Sequence, residues 1–352
     1  MEINSQDIDT PILVTGATGY VASHIIKLLL EKCYKVRGTV RSLVNKDKYK
    51  FLYDLVPEKN DNLELVEADL LYPEKWNAAV EGIQYVLHVA SPFPMKDPKN
   101  EDELIKPAVE GTLNVLRAVL EKGVKKVIVT SSVAAIYNGH IGRMVGPEDW
   151  SIEEKCDPYS KSKLKAERAA WAFWKEHQGK FEMATVNPSL VVGPLLVGAN
   201  GTSEQIIADI LLGKTPGLPK FSIGTVDVRD VAECHLQALL SPNSNGKRYI
   251  CSGQSLWMQD IGDILREEFS KYGYKVTKMK LGKFIMTIGS VFDKRAKRVL
   301  PEIGHERLFD NSLSTQELGI KYRNIKESLI EMGYSFIKCG VIPDKTQNHQ
   351  KK

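Results

Sequence analysis

Cysteine is scarce in this 352-residue chain, and the five present (Cys33, Cys156, Cys234, Cys251 and Cys339) are scattered, odd in number and without a C-x-x-C pair. That excludes a disulfide framework and predicts free thiols in a reducing compartment. An excess of one charge is also lacking. The 48 basic and 44 acidic residues leave a net charge of +4, and most basic residues have acidic neighbours. No nucleic-acid footprint is therefore expected. The runs Lys46-Asp47-Lys48 and Lys294-Arg295-Ala296-Lys297-Arg298 read as solvated faces. Long hydrophobic runs are missing too. The opening "MEINSQDIDTP" has no apolar signal core, and "FIMTIGSVF" at 284–292 is too short to span a bilayer. No internal repeat is visible. A soluble, cytoplasmic protein without a membrane, nucleic-acid or metal partner is the expectation.

What is present is an alternation of strand and helix patterns. Apolar strands are expected at 12–14, 35–41, 63–70, 83–91, 125–132 and 181–189, with amphipathic helices at 20–33, 46–55, 72–82, 103–123 and 157–177. Asp157 and Pro158 are a cap and a first-turn proline for the last of these. The fold class is α/β: a Rossmann-type, doubly wound parallel sheet with a smaller mixed α/β C-terminal lobe. The dinucleotide-binding domain is placed at 8–190, with 224–252 returning to it. The substrate lobe takes 191–223 and 253–336. The polar stretch 340–352 reads as a disordered tail. Such sheets bind ligands outside the carboxyl ends of their strands.

The stretch "VTGATGYVASH" builds an anion site. Gly16 permits a sharp turn, Gly19 removes a side chain where a pyrophosphate approaches, and the amides opening the helix at Thr18, Tyr20 and Val21 face the phosphates. Ala22 stands in the place of a third glycine, where alanine is small enough for helix and strand to pack. The second strand ends "GTVRS", with Arg41 where an NAD enzyme carries a carboxylate, Arg37 upstream and Lys48 seven residues on. A guanidinium suits a 2′-phosphate, which favours NADP(H) over NAD(H). Asp69, followed by Leu70, suits either an adenine amino group or the cap of the next helix. The segment "HVAS" would pass under the adenosine with Val89, Ala90 and Ser91, and His88 reads as a packed side chain.

"DPYSKSKLKAE" carries the chemistry. Tyr159 and Lys163 lie four apart on one helix face. A tyrosine with its ordinary pKa of about 10 is a poor acid or base near neutrality. An adjacent ammonium favours the phenolate, and reaching pH 7 takes about 4 kcal/mol of differential stabilisation. Ser131 and Ser132 end the fifth strand, and alternation points one of the two into the cleft.

These stretches, together with "VRGTVRS", "VLHVASP", "EGTLNVLRA", "NPSLVVGP" and "VDVRDVAECH", resemble an extended short-chain dehydrogenase/reductase of the dihydroflavonol-reductase-like group over the first two thirds of the chain. The resemblance implies NADPH-dependent reduction of an aldehyde or ketone, reversibly, with a small carbonyl or alcohol as substrate. Tyr159 would be the proton donor, Ser132 would hold the carbonyl oxygen, and Lys163 would bind the ribose. Thr112, Asn187, Pro188 and Ser203 would line the cofactor, and the chain would be a monomer or a homodimer. Two features depart from the group. Tyr137 stands where dihydroflavonol reductases carry Asn, and "CDPYSKSK" replaces the N-W-Y-C-Y-G-K motif of cinnamoyl-CoA reductases. Tyr137, Phe93, Met95, Leu195 and Phe221 are candidates for an apolar pocket. The competing readings are a sugar-nucleotide epimerase/dehydratase, a 3β-hydroxysteroid dehydrogenase-like enzyme, and a non-catalytic NADPH sensor. Gly111 is expected to let a helix approach the sheet, and Gly142 and Gly146 to give a mobile cover.

Overall fold

The computed structural model describes residues 10–92, 100–198, 201–289 and 299–348. Seven parallel strands form the main sheet: β1 (Ile12–Val14), β2 (Val36–Val40), β3 (Leu63–Glu67), β4 (Tyr85–His88), β5 (Lys126–Thr130), β7 (Glu182–Pro188) and β11 (Arg248–Cys251), in the order β11-β7-β5-β4-β1-β2-β3. The central strands are almost wholly apolar because both faces of a parallel sheet are covered. On one face lie α1 (Tyr20–Glu31) and α7 (Val228–Leu240). On the other lie α3 (Trp76–Val80), α4 (Asp102–Glu121) and α5 (Pro158–Glu176). The short α2 (Lys50–Tyr53) adds Leu52 to the core on the α1 side. Winding reverses between β1 and β4, and this opens a crevice at the carboxyl ends of those two strands.

The smaller lobe has a three-stranded sheet in which β10 (Ser222–Asp227) runs parallel to β8 (Leu190–Val192) and antiparallel to β12 (Gln254–Trp257). Its core is completed by α6 (Thr202–Leu211), α8 (Met258–Phe269) and α11 (Ile325–Lys338). The pair β9 (Leu218–Pro219) and β13 (Lys280–Leu281), with α9 (Lys283–Gly289) and α10 (Ser312–Gln316), makes up the rest. A further short ladder joins lobe to sheet, between β6 (Met144–Val145) and β14 (Leu308–Phe309).

Two expectations need correction. The return to the larger domain begins at α7, not at 224, because β10 is the middle strand of the smaller sheet and pairs with none of the seven. Residues 340–348 are not a free tail. Ile342 is buried in the lobe core, and the Tyr274 hydroxyl donates to the Pro343 carbonyl at 2.5 Å. Two apolar residues, Val341 and Ile342, suffice to dock that polar stretch. Residues 349–352, and with them Phe93 and Met95 of the expected pocket, lie outside the described residues. Among the described residues no helix is long and apolar enough to cross a membrane.

Helix α5 starts where its sequence says: the Asp157 side chain accepts from the Ser160 amide at 2.7 Å and Pro158 occupies the first turn. Gly111 lies on α4 where the helix meets the chain just beyond β3, and a Cβ there would stand 2.9 Å from Cβ of Leu70. Replacing Gly by Ala in a helix stabilises by about 1 kcal/mol, whereas overpacking costs about 1–3 kcal/mol. Because the obstacle is a Cβ rather than a flexible tip, Gly111→Ala is expected to lower stability by about 1 kcal/mol in urea unfolding. A gain in stability would show that α4 can move away.

Candidate active site

The crevice is floored by the turn after β1. Gly16 has φ +70°, and a Cβ on it would lie 3.1 Å from that of Ala90. Its amide donates to Thr39 Oγ1 at 2.9 Å, and the Ala17 amide to the Thr39 carbonyl at 2.9 Å, which fastens the turn to β2. A Cβ on the exposed Gly19 would stand 3.2 Å from the Gly16 carbonyl oxygen. No side chain caps α1 and no acidic residue sits in its first turn. The opening amides and the positive end of the helix dipole are thus left for an anion. These observations fit a dinucleotide pyrophosphate.

Thr15, which the motif reading passed over, holds the crevice together. Its Oγ1 accepts from the amides of Val89 and Ala90, at 2.9 Å each, and lies 3.0 Å from Nδ1 of His88. With both amides donating, the hydroxyl proton goes to Nδ1. Burial, then the charge of Lys163, lowers the His88 pKa to about 3, so the ring is neutral and packed, as expected. Thr18 is exposed. Tyr20 and Val21 are half-buried in the first turn of α1, but the Tyr20 hydroxyl is committed to the Gly193 carbonyl at 2.7 Å, so its side chain braces the loop after β8. His24 does likewise at the Pro194 carbonyl, 2.8 Å away.

At the outer end, Arg41 and Lys48 are exposed, and their side chains make no hydrogen bond or ion pair with any described residue. Arg37 is not available to a ligand there: it pairs with Glu64 at 2.7 Å and donates to the carbonyls of Ala79 and Glu81. Asp69 Oδ1 accepts from the Leu71 amide at 2.9 Å, a turn-capping role that leaves its other oxygen uncommitted. The Leu70 carbonyl accepts from Asn114 Nδ2 at 2.8 Å. Thr112 points its hydroxyl back to the Ala108 carbonyl at 2.9 Å and is buried inside α4. Ser203 is half-buried in the first turn of α6.

At the inner end the two serines separate. Ser131 is buried and its hydroxyl donates to Glu167 Oε2 at 2.5 Å, beneath the sheet ends. Ser132 is the one beside Tyr159. Its Oγ accepts from the Ala134 amide at 3.1 Å and donates to the Pro188 carbonyl at 3.5 Å. Tyr159 is 37% exposed as a residue. Burial around its hydroxyl nevertheless raises its pKa, the Ser132 hydroxyl lowers it, and the Asp157 carboxylate raises it further. The expected lowering of the phenol by Lys163 does not prevail. The ammonium is 5.9 Å from the ring centroid and donates to Ser91 Oγ at 2.9 Å, and burial penalises its own charge, lowering its pKa to about 8. Desolvation therefore outweighs the attraction between the two side chains.

Asn187 does not present its side chain to the crevice. It is fully buried, donating to Glu167 Oε2 at 2.8 Å and to the Ser132 carbonyl at 3.3 Å. Pro188 is buried beside it, and the next residue, Ser189, has a buried hydroxyl with no partner among the described residues. Tyr137 is half-buried, with the Arg307 guanidinium 3.9 Å above its ring and the edge of Phe309 against it. Leu195 belongs to the lobe core and Phe221 is half-buried. The loop with Gly142 and Gly146 is not a loose cover. Arg143 pairs with both oxygens of Asp149, the Gly146 amide donates to Asp149 Oδ2 at 2.8 Å, and β6 is laddered to β14.

Residues 12–251 match the family model described as the NAD dependent epimerase/dehydratase family. A cinnamoyl-CoA reductase of Medicago truncatula is 37% identical, over 75% of this chain and 82% of its own length. The NADPH-dependent methylglyoxal reductase of Saccharomyces cerevisiae is 31% identical over 93% of this chain and 98% of its own. The crystal structure of a yeast methylglyoxal/isovaleraldehyde reductase complexed with NADPH superposes with a TM-score of 0.76 at 30% identity, covering 94% of this chain and 99% of that one.

Thr15→Val removes the acceptor of two amides at nearly constant volume. Each orphaned buried donor costs about 1–3 kcal/mol, so a total loss of about 2–6 kcal/mol is expected in urea unfolding. A variant as stable as the parent would mean that the β1–β4 crevice does not depend on this hydroxyl.

Proposed function

The chain belongs to the NAD dependent epimerase/dehydratase family, and from that premise we propose that it is an oxidoreductase that uses NADPH to reduce an aldehyde or ketone to the alcohol, reversibly. One observation carries the reading: at the carboxyl ends of the strands a protonated phenol (Tyr159), a serine hydroxyl (Ser132) and a half-buried ammonium (Lys163) share one end of a crevice whose floor is a glycine turn open to phosphates.

Gly16 and Gly19, with the amides of Thr18, Tyr20 and Val21, hold the pyrophosphate. Arg41 and Lys48, whose side chains have no partner among the described residues, take the 2′-phosphate. Asp69 and Leu70 border the adenine, Val89, Ala90 and Ser91 the adenosine ribose, and Lys163 the nicotinamide ribose. Pro188 and Ser203 flank the ring, with Thr112 and Asn187 behind the crevice wall. The bound cofactor supplies a hydride for the carbonyl carbon. Ser132 donates a hydrogen bond that fixes the carbonyl oxygen, and Tyr159 gives that oxygen its proton. A phenol with a raised pKa holds its proton until the oxygen becomes basic, which is what an acid for reduction requires. Lys163 then balances the phenolate that remains, and solvent returns the proton.

The departures from relatives limit the substrate. Tyr137, stacked under Arg307, presents an aromatic wall where flavonoid reductases carry an amide, and the CoA-reductase motif around the tyrosine is missing. A compact aldehyde or ketone with an apolar substituent fits this wall.

Tyr159→Phe is expected to lower kcat by at least about 10²-fold while NADPH still binds, as measured by fluorescence titration. Near-normal turnover would refute the mechanism. Loss of a charge-assisted hydrogen bond costs about 1.5–3 kcal/mol, so Arg41→Ala should raise the KM for NADPH by about tenfold or more and leave that for NADH nearly unchanged. Lys163 is an ammonium below its pKa of about 8 and neutral above it, so kcat/KM for reduction should fall as the pH rises through about 8. A flat profile to pH 9.5 would show that its charge is not needed.

A further inference from the structure

Beneath the reacting end lies a buried carboxylate that no step above uses. Glu167 is on α5, one helical turn beyond Lys163, and its side chain is fully buried. Five donors converge on it. Oε2 accepts from Ser131 Oγ at 2.5 Å and Asn187 Nδ2 at 2.8 Å. Oε1 accepts from Arg248 Nε at 2.7 Å, Trp171 Nε1 at 3.2 Å and Thr185 Oγ1 at 3.3 Å. These donors come from the end of β5, from β7, from β11 and from α5 itself. Asn187 passes the connection on to the Ser132 carbonyl. Arg248 passes it to the carbonyls of Pro147 and Asp149, at 2.5 and 2.6 Å, and its guanidinium lies 3.8 Å over the Trp150 ring.

We propose that Glu167 is a positioning residue for the carbonyl reduction: its buried carboxylate registers the Ser132 strand end against the helix carrying Tyr159 and Lys163, and balances the Lys163 ammonium. The inference rests on the carbonyl-reductase reading. Among the described residues, the groups that face Lys163 are Ser91, which is neutral, His88, which burial keeps uncharged, Tyr159, which is a neutral phenol, and Glu167. Glu167 is the negative charge among them, and it alone raises the Lys163 pKa against desolvation. Removing a buried carboxylate that accepts five hydrogen bonds for stability alone would cost folding energy. A positioning role costs, in addition, the alignment of Ser132 with Tyr159. Misplacing a catalytic group by an ångström costs about 10²-fold in rate.

The test uses the 352-residue chain and three variants. Glu167→Gln keeps the volume and removes the charge. It should lower kcat by about 10²-fold while the NADPH Kd from fluorescence stays within about threefold. The alkaline limb of kcat/KM should move down from about 8 by about one pH unit. In the cofactor-free protein the Lys163 amine, followed by NMR, should titrate lower by the same amount. Glu167→Asp keeps the charge and withdraws it by one methylene, so kcat should fall with the limb in place. A folded Glu167→Gln protein with the parent kcat, limb and Lys163 titration would overturn the proposal. If that variant does not fold, Ser131→Ala decides. It removes one donor and leaves the ion pair with Arg248, and kcat should fall about five- to tenfold with the limb unchanged, in a protein that still folds and melts only a few degrees lower. Parent-like kcat in Ser131→Ala would overturn the positioning role. If the parent protein itself reduces no carbonyl, the reading above fails instead, and the NMR titration still reports whether Glu167 sets the charge of Lys163.

Discussion

The carboxylate of Glu167 gathers the ends of β5, β7 and β11 onto the helix that bears Tyr159 and Lys163. Parallel strands make no hairpins with each other, so nothing local sets the relative height of their ends. A group that accepts hydrogen bonds from three of them at once does so directly. Its cost is a buried charge, compensated by Arg248 and four neutral donors. Arg248 in turn reaches the loop before α5, so the strand ends, the helix and its approach loop are held as one unit.

The other half of the crevice has its own fastening. The Thr15 hydroxyl bridges β1 to the chain leaving β4, and Thr39 bridges the glycine turn to β2. The two fastenings leave different chemistry at their ends: exposed cations and open amides at one, a phenol and a partly desolvated ammonium at the other. A dinucleotide, with phosphates at one end and a hydride at the other, matches that polarity. The lobe closes the inner end through the β6–β14 ladder and the stacking of Arg307 on Tyr137. The loop glycines Gly142 and Gly146 suggested mobility at this point. The Asp149 carboxylate, gripped by Arg143 and the Gly146 amide, holds the loop instead.

Much of the architecture was legible because its signals are local. Apolar runs marked the six strands through 189, and Asp157-Pro158 marked the start of α5. The glycine turn, the cations Arg41 and Lys48, and the Tyr159/Lys163 spacing were legible for the same reason. What misled were residues whose partners are far away in the chain. Asn187 and Tyr20 look available in sequence, yet Glu167 and Gly193 claim their side chains. The strand β10 reads like one more member of the parallel sheet, but its pairing partners are β8 and β12. Glu167 has a faint signal, four residues beyond Lys163, which only its burial makes meaningful.

By itself the sequence determined the alternation of elements and the glycine turn, and it pointed to the cations proposed for a phosphorylated ribose and to the proposed acid, since each depends on residues within about one helical turn or strand end of each other. Tertiary structure alone decided which serine faces the phenol, which polar side chains are consumed in holding strand ends together, and the sign of the phenol's pKa shift. Those outcomes follow from desolvation and from hydrogen bonds between segments up to 81 positions apart, such as Glu167 and Arg248. Neither can be read along the chain.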